Sequence, residues 1–212
     1  MTQTRTCKLH FTAAMLAVLI LLQGCATLDR DECKLADWRL IGYQDGVAGK
    51  SAARVGEYRE DCAKHAVVPD LDAYRAGREE GLQHYCTASN GYRLGNAGRG
   101  FAAVCPTALE ADFREAYNAG RKLYLARSAV NKTHSQLKQH KRTLTNLEDD
   151  RAQKLAALIA DDLKADQRVM IVYELNELQQ EMNSVEDELV DLEHDLEKQQ
   201  TRLDQLTRNS AY

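Results

Sequence analysis

The stretch Leu175–Leu206 reads LNELQQEMNSVEDELVDLEHDLEKQQTRLDQL. Leu175, Met182, Leu189, Leu196 and Leu203 recur every seven residues, interleaved with Leu178, Val185, Leu192, Gln199 and Leu206. Alternating steps of three and four put this set on one stripe of a helix, the pattern of a coiled-coil seam. Such a stripe needs a covering helix, and the chain supplies one upstream. Leu123, Val130, Leu137, Leu144 and Leu158 keep a seven-residue register, interrupted at Arg151 and with polar His134 and Lys141 as companions.

Charge decides how the two stretches relate. Arg121 to Arg142 hold seven basic residues and no acidic one, whereas Glu186 to Glu197 hold seven acidic residues and no Lys or Arg. A fold-back near Lys164 and Ala165 sets these blocks side by side and matches Leu123 with Leu206, Leu137 with Leu192, Leu144 with Val185, Leu147 with Met182, Leu155 with Leu175 and Leu158 with Val172. The expected element is an antiparallel coiled-coil hairpin over residues 125–210, with its turn near 161–167. The competing arrangement is one uninterrupted helix that dimerises in parallel, because no Gly or Pro breaks residues 160–168. Asp161, Asp162 and Asp166 lower helix propensity there and offer capping oxygens, which favours the turn. Ile159, Met170, Ile171 and Tyr173 fall outside the paired register. They form an apolar tip suited to docking another protein, or to self-association of two hairpins into a four-helix bundle.

Upstream the composition changes. Everything after Gly120 lacks Gly, Pro and Cys, which marks a boundary near Arg121 and a separate small helical domain over residues 37–124. Within it a motif recurs as Tyr43-x-x-Gly46, Tyr74-x-x-Gly77, Tyr92-x-x-Gly95 and Tyr117-x-x-Gly120. Each copy puts an aromatic ring beside bare backbone on one helix face. Repeated helix-interior glycine, at about 1 kcal/mol each relative to alanine, points to close contact between short helices. The irregular spacing of the copies excludes a stacked solenoid. The rings either pack inward with their hydroxyls bonded, or lie on a shallow surface able to stack on sugar rings.

Arg5 and Lys8 precede an apolar run from Phe11 to Leu22, and then come Gln23, Gly24 and Cys25, the layout of a secretory signal over residues 1–24. A helix over the apolar run rises only about 18 Å, too short for a hydrocarbon core of about 30 Å. Cys7 leaves with the signal. Cys33, Cys62, Cys86 and Cys105 then remain as an even set in an oxidising compartment and imply two disulfides. Of the three pairings open to four cysteines, Cys86 with Cys105 is favoured because they bracket a glycine-rich loop whose closure contributes about 3 kcal/mol, which leaves Cys33 with Cys62. A zinc set of Cys62, His65, His84 and Cys86 is the lesser reading, since its spacing is loose.

Leu22, Gly24 and Cys25 resemble the bacterial lipoprotein box. That resemblance implies cleavage before Cys25, acylation of its thiol and a lipidated tether over residues 25–36. Ala26 and Thr27 lack the aspartate that holds such proteins at the inner membrane, so it further implies the periplasmic face of the outer membrane. A second resemblance rests on Trp38, Gly42, Asp45-Gly46, Gly49, Arg59, Cys62, Tyr74-x-x-Gly77-x-x-x-Gly81-Leu82-x-x-Tyr85-Cys86, Gly91-Tyr92-x-x-Gly95, Cys105-Pro106, Phe113, Tyr117 and Gly120. These residues resemble the lipoprotein family catalogued as domain of unknown function 2799, which implies an exported domain and no particular activity.

Composition narrows the function further. The net charge of −4 becomes about −6 once the signal is removed, which leaves no excess of cations for nucleic acid. The serines lack a nucleophile elbow, Gly91 to Gly100 lack the Lys-Ser or Lys-Thr of a phosphate loop, and the adjacent acid pairs read as solvated faces. The expectation is a mostly α, non-enzymatic protein without metal or cofactor. Its hairpin would act as a scaffold or adaptor, with an envelope glycan-binding module (peptidoglycan or lipopolysaccharide) as the alternative. Expected partners are the membrane through the lipid, and a second copy or an envelope protein through the hairpin.

Overall fold

The structure, a computed structural model, describes residues 28–210. The signal and Cys25 lie outside them. Every regular element among the described residues is helical, and the chain divides between Tyr85 and Cys86 into two compact units.

The first unit holds α1 (Arg30–Leu35), α2 (Trp38–Val47), α3 (Arg54–Ala63) and α4 (Leu71–Tyr85). Side-chain oxygens open three of these helices. Asp29 accepts from the Glu32 backbone N–H at 2.8 Å, Asp37 from Leu40 at 3.0 Å and Asp70 from Ala73 at 2.9 Å. The core gathers Trp38 and Tyr74 around the Cys33–Cys62 disulfide, with Ile41, Val55 and Tyr58 packed against it.

Glycine sets the contact between α2 and α4. A Cβ on Gly77 would stand 1.9 Å from the Arg39 carbonyl oxygen, and one on Gly81 2.2 Å from that of Tyr43. From the other side, Gly42 abuts the Tyr74 carbonyl and Gly46 that of Arg78. Contacts advance together along both helices, so α2 and α4 run parallel, and the segment carrying α3 returns the chain between them. The glycines let the two backbones approach more closely than any side chain allows.

The second unit holds α5 (Ala88–Asn96), α6 (Thr107–Leu158) and α7 (Ala165–Arg208). Its first part repeats the same construction. Gly91 meets the Phe113 carbonyl, Gly95 that of Tyr117 and Gly120 that of Tyr92, again in parallel. Cys86 and Cys105 form the second disulfide, so both favoured pairings are present. The composition shift at Arg121 falls inside α6, which passes through it without a break. Helix α6 thus carries the chain past residue 124 without interruption, and the compact units part at 85/86. Glycine is dense upstream because helices cross there, and absent downstream because a two-helix seam is spaced by side chains.

From Leu123 onward α6 and α7 form the antiparallel hairpin. Leu137, Leu147, Met182, Val185 and Leu189 are buried, and Leu144, Leu178, Leu192 and Leu196 pack against them. Lys141 meets Glu193 at 3.1 Å, His140 Nδ1 meets Glu188 at 3.0 Å and Lys154 meets Glu174 at 2.5 Å across the seam. Buried Thr133 donates to Gln199 at 2.9 Å, so the polar rung in the heptad is matched. The turn is shorter than expected, residues 159–164, and residues 165–167 already form the first turn of α7. It is fastened by the Arg168 guanidinium, which donates to the carbonyl oxygens of Leu158, Ala160 and Leu163. The seam also opens sooner than the heptads imply. Leu155 is 42% and Val172 55% exposed, so the expected rungs Leu155–Leu175 and Leu158–Val172 are not closed.

Candidate functional site

The two parallel helix pairs are copies of one design. Gly42-Tyr43-x-x-Gly46-x-Ala48-Gly49 recurs as Gly91-Tyr92-x-x-Gly95-x-Ala97-Gly98. The partner helices match as Tyr74, Gly77, Gly81, Tyr85 and Phe113, Ala116, Gly120, Tyr124. Both leading helices end alike. Gly49 and Gly98 adopt φ of +65° and +71°, which only glycine takes without strain, and the next residue returns a hydrogen bond, Lys50 to the Asp45 carbonyl and Arg99 to that of Leu94. Tyr85 and Tyr124 lay their rings over these glycines. Arg78 donates to the Lys50 carbonyl at 2.8 Å and Tyr117, its counterpart, to the Arg99 carbonyl at 3.1 Å.

One site separates the copies. In the first pair Asp45 is buried and accepts from the Tyr74 hydroxyl at 2.8 Å and from Tyr58 at 3.4 Å. Leu94 and Phe113 occupy the corresponding positions of the second pair, both buried. The covering ring follows suit: Tyr58 lies edge-on to Tyr74 at 6.2 Å, and Phe101 edge-on to Phe113 at 5.2 Å. Each covering ring carries an arginine, Arg54 over Tyr58 at 5.1 Å and Arg114 over Phe101 at 5.6 Å. Burial raises the phenol pKa of Tyr74 well above its ordinary value, reinforced by its bond to Asp45, and burial raises that of Tyr58 too. Both phenols therefore stay protonated and act as donors to Asp45 through the neutral range.

The four motif tyrosines are packing residues. Tyr74 is buried, Tyr43 is half-buried against His84 at 5.8 Å, Tyr92 accepts from the Ser210 hydroxyl at 2.8 Å, and Tyr117 lies 4.4 Å from the Phe101 ring. The zinc set does not assemble, since Cys62 and Cys86 are consumed by their disulfides. No group of three or more His, Cys, Asp or Glu side chains able to hold a metal occurs among the described residues.

At the hairpin turn Ile159, Met170 and Tyr173 are 78%, 58% and 60% exposed, whereas Ile171 is half-buried. Val169 and Val172 join the exposed set. Sequence reasoning placed Val172 in the seam opposite Leu158; the interruption of the upstream register at Arg151 was the signal that the seam weakens toward the turn.

A family model described as a protein of unknown function (DUF2799) matches residues 37–122. That segment belongs to the DUF2799 family. The DUF2799 match begins at Asp37, the cap of α2, and takes in both glycine-crossed pairs; the hairpin beyond Lys122 lies outside it. No curated protein and no solved structure matches the chain. No helix of the described residues is long and apolar enough to cross a membrane.

Proposed function

We propose that this DUF2799 protein is an envelope lipoprotein, anchored through acylated Cys25 at the periplasmic face of the outer membrane, and that it serves as a non-enzymatic scaffold or adaptor through its hairpin. The observation that carries this reading is the hairpin's apolar turn. Ile159, Val169, Met170, Val172 and Tyr173 stand exposed together beyond a seam that buries Leu137, Leu147, Met182, Val185 and Leu189. Exposure of so many apolar side chains at one place has a cost in water that contact with another protein removes. The packed tyrosines lend no such support to glycan binding.

Two measurements test the reading. Cells labelled with radioactive palmitate are expected to label the wild-type chain and not Cys25→Ser; an unlabelled wild type removes the anchor. Crosslinking in intact cells is expected to capture defined envelope proteins on the wild type and lose them on Ile159→Ser/Met170→Ser/Tyr173→Ser. Unchanged capture by that variant would reject the turn as the binding surface.

A further inference from the structure

The hairpin has one face on which its two helices carry opposite charge, and that face is not closed. A groove of about 620 Å³ runs along it, floored by Leu137 and Leu196 and walled by His134, Lys138, Lys141 and Thr145 of α6. Those four are spaced four, three and four residues apart, a single helix face. Glu193 lines the opposite wall, and the same spacing brings Glu186, Val190 and Glu197 onto its face of α7. Val190 is 66% exposed, an apolar residue standing among carboxylates. The Lys141–Glu193 bond shows that the basic and acidic walls lie level with one another.

We infer that this face is the interface of a homodimer in which two hairpins pack as a four-helix bundle, with the Lys138 wall of each copy against the Val190 wall of the other. The inference deepens the scaffold reading by naming a second copy of the chain as the partner, and it rests on the hairpin being a binding surface. A second copy fits because each hairpin offers both halves of the match. Charge also selects the symmetry. A two-fold axis parallel to the helices lays α6 of one copy over α7 of the other, basic on acidic twice. An axis across the helices lays basic on basic and acidic on acidic, which is repulsive. The hairpins therefore point the same way with their turns together.

The apolar residues agree with this arrangement. About eighteen residues, five helical turns, separate Lys141 from Ile159, the residue that caps the end of α6, and Val190 from Val172 on α7. The exposed Ile159 and Val172 thus extend the same face toward the turn, level with their mates in the second copy. Leu144, Leu178, Leu192 and Leu196, only partly buried in one hairpin, gain cover in the bundle.

Sedimentation of the full chain across a concentration range, in detergent if the lipid is retained, is expected to show a monomer–dimer equilibrium. Lys138→Glu, or Glu186→Lys with Glu197→Lys, should weaken it at least tenfold; all three changes in one chain should restore it. None of these three residues makes a cross-seam bond in the hairpin, and circular dichroism checks that helicity is kept. A milder change, Val190→Gln, should weaken the dimer without altering charge. Spin labels on Asp162→Cys should couple strongly in the dimer, since the turns meet; hairpins packed in opposite directions would separate them by about a hairpin length, roughly 60 Å. A chain that stays monomeric at every concentration, a dimer indifferent to Lys138→Glu and Val190→Gln, or a dimer with uncoupled labels overturns the inference. Capture of other envelope proteins is read separately, so a monomeric result would leave the adaptor reading standing.

Discussion

Asp45, Tyr58 and Tyr74 in the first helix pair stand where the second pair has Leu94, Phe101 and Phe113. Both sets fill the same kind of place, beneath a covering ring and beside a glycine crossing. The second pair shows that the design closes with an all-apolar set, so the crossing itself does not require the polar one. What it does require is consistency. A buried carboxylate needs its donors, and a buried phenol needs an acceptor, so the polar set is tolerated only whole.

The severest way to break that comparison is to place one polar member in the apolar copy. Leu94→Asp buries a carboxylate with Phe113 and Phe101 as neighbours in place of the two phenols, and is expected to cost about 3–5 kcal/mol, seen as loss of the corresponding thermal transition. A gentle effect would mean the second pair admits water. Next comes the crossing. Gly77→Ala drives a methyl group into the Arg39 carbonyl and should cost about 3 kcal/mol by urea unfolding followed at Trp38, the chain's single tryptophan. Alanine is already present at the matching position, Ala116, and is fully buried there, so the two crossings differ in tightness at that point. Equal tolerance of alanine at both would erase this distinction.

Removing the acceptor alone, Asp45→Leu, strands the Tyr74 hydroxyl and should cost about 1–3 kcal/mol, whereas Asp45→Leu/Tyr58→Phe/Tyr74→Phe should recover much of the loss. Failure of the triple change to recover would show that the first pair depends on its polar set. Alkaline titration sharpens the same contrast more mildly. The folded pKa values of Tyr74 and Tyr58 lie above those of the unfolded chain, so the unfolded state releases its protons first. Stability of the first unit should then be intact below about pH 10 and fall as pH rises beyond it. In the Tyr58→Phe/Tyr74→Phe/Asp45→Leu chain the Trp38 unfolding midpoint should lose that decline.

The smallest effect is expected at the end of α3. Ala66 takes φ of +56° while Val67 returns its N–H to the Cys62 carbonyl, the ending that the leading helices of both pairs make with Gly49 and Gly98. Ala66→Gly should stabilise the first unit by up to about 1 kcal/mol in the same unfolding assay. A loss instead would mean that the alanine methyl contributes packing there.

Much of this was legible beforehand. The heptads and opposed charge blocks name the helices of the hairpin and their register, because a seam repeats one local rule many times. The even cysteine count and the loop between Cys86 and Cys105 point to the bonds formed. The duplication was harder to see. Tyr-x-x-Gly counted singly gives irregular steps, whereas Gly-Tyr-x-x-Gly-x-Ala-Gly, taken as a leading helix with a distant partner, gives two matched pairs. The inward tyrosines were a choice between packing and display that periodicity could not make.

The linear sequence by itself determined the helices and the heptad stripes of the seam, since both follow from spacing along a chain with fixed rise and turn, and it favoured the hairpin and the two disulfide pairings over their alternatives without excluding them. Only the tertiary structure decided that α2 and α4 cross where Gly77 meets Arg39, that Asp45 is answered by Tyr58 and Tyr74, and that Arg168 fastens a turn with no Gly or Pro. Those contacts join residues far apart in the chain or at an unpatterned turn. Their strength lies in burial and donor geometry, which no local periodicity encodes.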